Sequence, residues 1–308
     1  MEDYPLDLAD FERRFATDDA CRAYLAQLHW PDGFRCPRCG PTKAWPVRNR
    51  LWPCAACGHQ TSVTAGTIFQ DMRSPLPSWF RARWWVTSQK TGVSALGLQR
   101  VLGLRSDKTA WPWLHKLRRA MVRPGRDRLT GWVEVDETSL GGVPPGRRGR
   151  QTDTQALVAV AVEIDGKRLG RIRWRRVLDA SGASLTGFVQ DAIDVGSHVH
   201  TDGWSGYGTL RRLGYRHRVT YLPGQAKTPS QLMPHVHQVI SLLKRWLLGT
   251  PHGAVTHAHL DYYLDEFTFR FNRRRSRSRG KLFYRLVQQA VAVAPAPYES
   301  LVKYARMP

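Results

Sequence analysis

Apolar positions change their spacing along this chain of 308 residues, and the changes mark out its elements. From Ser78 to Met121 they recur three and four apart, which predicts helices at about 78–90, 94–102 and 107–121. Ser94 and Ser106 stand where N-caps are needed, and Gly92 and Gly103 where helices stop. An earlier helix begins near Thr17. After Gly131 the period falls to two in WVEVDETSLGG, an alternating strand expected to end with Asp136 and Glu137 before a Gly-Gly turn. Apolar strands follow at Ala156–Ile164 and about Gly170–Leu178, then a helix near Ala183–Ile193 and a short strand His198–Thr201 that delivers Asp202. A helix is expected at about 235–248, with a further helical stretch after it. Three strands, a helix, a fourth strand and later helices is the order of an RNase H-like α/β core.

Charge then narrows the partners. Forty-seven Lys and Arg against 25 Asp and Glu leave a net +22, an excess that repels itself unless an anionic polymer neutralises it. Nucleic acid is the expected partner. The acidic start, MEDYPLDLADFERRF, has neither the basic nor the apolar region of a secretory signal, and the longest apolar run, Ala156–Val162, is too short to span a bilayer. An intracellular protein without a membrane partner is therefore expected.

Four of the five cysteines form two C-x-x-C pairs, Cys36/Cys39 and Cys54/Cys57, each followed by a glycine and separated by fourteen residues. That spacing is one of structural zinc, and four thiolates close a tetrahedron with no position left for water. Trp45, Pro46 and Val47 with Leu51 and Trp52 supply a hairpin between the knuckles. Cys21 and His59 are surplus to such a site.

The three helices after the ribbon resemble a helix-turn-helix, in which the last presents Lys108, Lys116, Arg118 and Arg119 to DNA while Trp111, Trp113, Leu114 and Leu117 hold it to the domain. A structural spacer with a solvated basic face is the alternative. Arg147, Arg148 and Arg150 lie in the Pro/Gly loop after the first strand, and Arg273, Arg274 and Arg275 open an arginine run at the end of a helix; both are candidate phosphate contacts. Neighbouring strands of the predicted core bring Asp136 and Asp202 together. Two such carboxylates repel unless a cation lies between them, and hard oxygen ligands suit two Mg²⁺ or Mn²⁺ ions, which serve in-line phosphodiester displacement. On the following helix His237 and Lys244 stand seven residues apart, hence on one face. His257, His259, Asp261, Asp265 and Glu266 are alternative sources of a third ligand.

In combination the segments HWPDGFRCPRCG, TSVTAGTIFQD, VEVDETSLGG, HTDGWSGY, LLKRWLLGT and YYLDEFTFRFNRR, spread from about Leu6 to Val291, resemble insertion-sequence transposases that pair an N-terminal zinc ribbon with a DDE-type catalytic domain. The resemblance implies an RNase H-like fold, divalent-metal catalysis, binding of double-stranded DNA at terminal inverted repeats, and insertion at a target site. It sets Asp136 at the first catalytic Asp, Asp202 at the second, and His237 where many relatives carry Glu or Asn, with Lys244 completing a DDH-K variant. A homo-oligomer on DNA and a cytoplasmic, nucleoid-associated location are expected. The domain boundaries expected are 1–70 for N-terminal helices and ribbon, 71–125 for the helical DNA-binding segment, 131–290 for the catalytic domain and 291–308 for a tail. The competing functions are an inactive zinc-ribbon DNA-binding regulator and an RNase H-like nuclease.

Overall fold

The computed structural model describes residues 2–40, 43–47, 50–123, 125–141, 155–221, 228–249, 255 and 257–303. Along the chain run helices α1 (Leu8–Arg14) and α2 (Asp18–His29), strands β1 (Leu51–Pro53) and β2 (Gln60–Ser62), and helices α3 (Leu76–Ser88), α4 (Ala95–Leu102) and α5 (Asp107–Ala120). Strands β3 (Trp132–Leu140), β4 (Ala156–Asp165) and β5 (Arg168–Val177) precede α6 (Gly182–Ala192), β6 (His198–Asp202) and β7 (Arg216–Thr220). Helices α7 (Pro229–Leu232), α8 (Pro234–Gly249), α9 (Leu260–Asn272), α10 (Arg279–Ala292) and α11 (Tyr298–Lys303) complete the described elements. Among the described residues, no helix is long and apolar enough to cross a membrane.

Two compact units divide the chain, Met1–Arg123 with Arg275–Lys303, and Pro124–Arg274 with Tyr304–Pro308. The first gathers helices around the antiparallel β1–β2 hairpin of the ribbon. Its starts are capped where the sequence indicates: Thr17, Ser94 and Ser106 each accept a backbone N–H of the first turn, and Gly103 closes α4 at φ 63°. The expectation that the catalytic domain runs to residue 290 meets a different boundary, because α10 packs on α2, α3 and α5. Phe283 of α10 is fully buried, with its ring centroid 5.5 Å from Phe15 and 5.6 Å from Phe80. An amphipathic stripe shows that a helix has a partner and not which one. Gly280 makes the close approach possible, since a Cβ there would sit 1.6 Å from the carbonyl oxygen of Pro5.

In the second unit five strands form one sheet in the order β5-β4-β3-β6-β7. β3–β4 and β4–β5 are antiparallel, whereas β3–β6 and β6–β7 are parallel. Numbered within the unit, that is 3-2-1-4-5, the RNase H-like arrangement. Side chains alternate across a strand, so each strand feeds two cores. Val158, Val160 and Val162 of β4 bury against Val236, Val239 and Leu243 of α8, while Ala159 and Ala161 turn to Leu185, Phe188 and Val189 of α6. On β3, Val133 and Val135 join the α6 core and Leu140 the α8 core, so the even-numbered positions of β3 face α8.

The end of α9 closes the β5 edge. Asn272 Oδ1 accepts from the Ile172 amide at 2.7 Å and its Nδ2 donates to the Ile172 carbonyl at 3.2 Å, standing in for a neighbouring strand. Arg274 adds donations to the carbonyls of Gly170, Leu169 and Phe271. Replacing Asn272 with Ala leaves a strand amide without its partner, at a cost of ~1–3 kcal/mol. Urea denaturation followed by circular dichroism should show a lower midpoint with an unchanged slope.

Candidate functional site

The two knuckles close as their glycines allow: the Gly40 and Gly58 amides bond back to the Cys36 and Cys54 carbonyls at 3.0 and 2.9 Å, with both glycines at positive φ. All four cysteine sulfurs lie within 4.8 Å of one another. Neighbouring separations are 3.7 Å for Cys36–Cys57, 3.5 Å for Cys39–Cys54 and 3.2 Å for Cys39–Cys57. Thiolates 2.3 Å from a tetrahedral zinc stand ~3.8 Å apart, so the set fits a structural zinc. Burial raises the Cys36 thiol, but the amides of Cys39 and Arg38 and the neighbouring thiols outweigh it and bring it down to about 6. Phe34, Trp30 and Trp52 pack around the sulfurs. Cys21 takes no part: it is fully buried on α2, where burial pushes its thiol up to about 12.

Asp136 does not end its strand, as the alternation had suggested, because β3 continues to Leu140 and stays paired with β4 throughout. Its pairing with β6 is what stops early. The parallel register runs Trp132↔His198, Val133↔Val199 and Glu134↔His200 and ends two residues before Asp136 and Asp202, which follow it on the same face. Asp136 lies 3.8 Å from His237, and Asp202 is close enough to act on the same imidazole, so both carboxylates belong to one locus on the α8 face. The Glu137 amide donates to Asp136 Oδ1 at 2.8 Å and the Trp204 amide to Asp202 Oδ1 at 3.0 Å. Glu137 itself turns to the other face and accepts from the hydroxyl of buried Tyr207 at 2.9 Å.

His237 reaches the same locus from α8, with Nε2 at 3.8 Å from Asp136 Oδ2. Burial lowers its pKa, outweighing the nearby negative charges of Glu134 and Asp202, and the Lys244 charge lowers it too. Of the alternative third ligands, Glu266 pairs with Arg270 at 2.7 Å and Asp261 with Arg176 at 3.3 Å. Asp136, Asp202 and His237 are less tightly gathered than the cysteines, which alone among the described residues bring three or more ligand atoms within 4.8 Å of one another.

Glu134 was not anticipated. It is buried on β3, where it accepts from the Val236 amide and pairs with His235 Nδ1, both at 2.8 Å. These contacts fasten the first turn of α8 to the strand that carries Asp136. The signal was available, because a charged residue at an inward position of a buried strand requires a partner.

Among the proposed DNA contacts, Lys108 is exposed, Lys116 and Arg119 are half-buried, and burial lowers the Lys116 pKa. Arg118 is corrected: it is 3% exposed and donates to the Val93 carbonyl, so it braces the helices. Arg274 is likewise held by carbonyls, Arg273 lies 4.2 Å over the Phe269 ring, and Arg275 is exposed. Arg147, Arg148 and Arg150 lie outside the described residues. A cavity of about 790 Å³ lined by Trp30, Phe34, Trp52 and Arg50 lies beside the ribbon, and its lining includes neither Asp136 nor Asp202.

A sheet of RNase H-like order bearing an acidic locus, in a chain that also holds a four-cysteine zinc site, defines a DNA-processing enzyme of the transposase class. Comparison with known proteins agrees: residues 128–272 match the ISXO2-like transposase domain and residues 16–60 the transposase zinc-ribbon domain. The chain thus carries both an ISXO2-like transposase domain and a transposase zinc-ribbon domain. It is also 26% identical over 281 residues to a protein described as "Uncharacterized protein in transposable element ISH50" of Halobacterium salinarum, an alignment covering 84% of this chain and 92% of that one.

Proposed function

We propose that this transposase cuts DNA at the ends of its mobile element and joins the freed 3′ ends to target DNA, using two divalent ions held by Asp136, Asp202 and His237. The observation that supports the proposal is that Asp136 and Asp202 follow the β3–β6 register on one face, with His237 Nε2 3.8 Å from Asp136. The donor set fits: two carboxylates supply hard oxygens suited to Mg²⁺ or Mn²⁺, and a neutral imidazole has its lone pair free. Such ions, when bound, lower the barrier to in-line displacement at phosphorus. The protein's own part is to hold the ligands still and to place charge. Glu134 and His235 anchor α8, so His237 keeps its place against Asp136. Lys244, exposed on the same helix and close enough to lower the His237 pKa, attracts a phosphate oxygen to the locus. Successive water and 3′-hydroxyl attack need no covalent protein intermediate. Coordinated insertion of two ends calls for at least two protomers on DNA.

The test incubates purified protein with duplex carrying the element's ends and Mg²⁺ or Mn²⁺, and follows 3′-end release and joining on denaturing gels. His237→Ala should lower cleavage by about 10²-fold or more and leave DNA binding intact. Full cleavage in that variant would place the third ligand elsewhere. Cleavage by wild type without any joining would favour a nuclease, and no cleavage with either metal a DNA-binding regulator.

A further inference from the structure

The face of the sheet that α8 covers over β4 and β3 continues across β6, where His200 is buried, to β7, where Arg216 and Arg218 are exposed. The β6–β7 register pairs His198 with Arg216, His200 with Arg218 and Asp202 with Thr220. Val199 lies in the α6 core, so His198, His200 and Asp202 take the opposite face, and their register partners Arg216, Arg218 and Thr220 share it. The bond between His200 Nε2 and Thr220 Oγ1 at 2.7 Å confirms that both project on one side. Arg216 and Arg218 are exposed, and neither forms an ion pair among the described residues. At the far side of the strip Trp132 is 45% exposed with its ring stacked 4.3 Å from His198. β7 carries no acid, and the one acid on β6 is Asp202 at its end.

Strand rise is ~3.3 Å per residue, so Arg218 and Arg216 lie roughly 7 and 13 Å behind the level of Asp202, along a line leading to it. Two unpaired guanidiniums in file beside a carboxylate pair attract an anionic polymer to a place where the carboxylates alone would repel it. We propose that this strip seats the backbone of the DNA strand that carries the cut phosphate, with Arg218 and Arg216 each holding one of the phosphates that precede it. The inference rests on the proposed cleavage at Asp136 and Asp202 and assigns the surface that brings DNA there. Contacts of this kind fix register along the duplex and carry no base preference.

The experiment measures binding of a fluorescein-labelled duplex carrying the element's ends, by anisotropy across a salt series in Ca²⁺, for wild type, Arg216→Ala/Arg218→Ala and Arg216→Lys/Arg218→Lys. Loss of two phosphate contacts should reduce the slope of log K against log salt by about 1.8, the Lys pair should restore it, and a scrambled duplex should show the same change. Single neutral methylphosphonates walked along the strand should then weaken wild type at two positions near the cut and add nothing in the Ala pair. An unchanged slope, or a loss spread evenly over all positions, overturns the track. Both side chains are exposed, so the variants should melt with wild type. Binding is read without cleavage, so a wild type that shows the two contacts and never cuts would defeat the catalytic proposal alone.

Discussion

Asp136→Ala and Asp202→Ala should each abolish end cleavage, a loss on the order of 10³-fold or more, while DNA affinity stays within about twofold of wild type. The size follows from geometry. Both carboxylates sit on one face of adjacent parallel strands, and their main-chain contacts, from the Glu137 and Trp204 amides, hold the side chains rather than the fold. Removing either one leaves an incomplete ligand set for the ions that would stabilise the attacking and leaving oxygens. The double variant should therefore be no worse than the single ones, since residues acting as a unit do not add. Asp136→Asn and Asp202→Asn should fail in the same way, because an amide keeps the shape and loses the charge. Single-turnover cleavage assays with matched anisotropy titrations decide the matter. Substantial cleavage by both Ala variants would remove the acidic locus from the chemistry.

Much of this locus was legible because burial on both faces leaves a strong imprint. β4 reads as an unbroken apolar run since α6 and α8 cover its two sides, and β6 was recognised by the carboxylate it delivers. β7 was not read, because RHRVT is an edge strand whose outward positions are basic, so period-two hydrophobicity is absent. That is also why Arg216 and Arg218 escaped a search guided by arginine runs. Runs proved poor guides elsewhere: Arg274 spends its donors on β5 carbonyls, work that a sequence cannot show without the partner strand. Arg118 was different, because its burial could have been foreseen. It stands four residues after Leu114 and eight after Ala110, both buried, hence on the stripe that α5 turns inward. The domain boundary near 290 needed the tertiary contact itself, since nothing in α10 names Phe15 and Phe80 as its partners.

Removing zinc should have a second large effect, confined to the first unit. The segment around the ribbon has little to hold it besides the metal: β1 and β2 are three residues each, and the core at the knuckles is Phe34 and the cysteines with Trp30 and Trp52 against them. Structural zinc in zinc-finger peptides is bound with an apparent ~10–16 kcal/mol at neutral pH, more than so small a core supplies. Cys39→Ser should therefore unfold the ribbon. The purified variant should contain less than about a tenth of the wild-type zinc by atomic emission, and limited proteolysis should cut between the two knuckles. The RNase H-like unit should survive, because its cores draw on β3–β6 and the helices α6, α8 and α9 and include no ribbon residue. Near-ultraviolet circular dichroism of Trp30 and Trp52, which pack 5.1 Å apart, gives a direct readout of the ribbon. A zinc-free variant that keeps that signal and resists protease would show that the aromatic packing holds the ribbon without the metal.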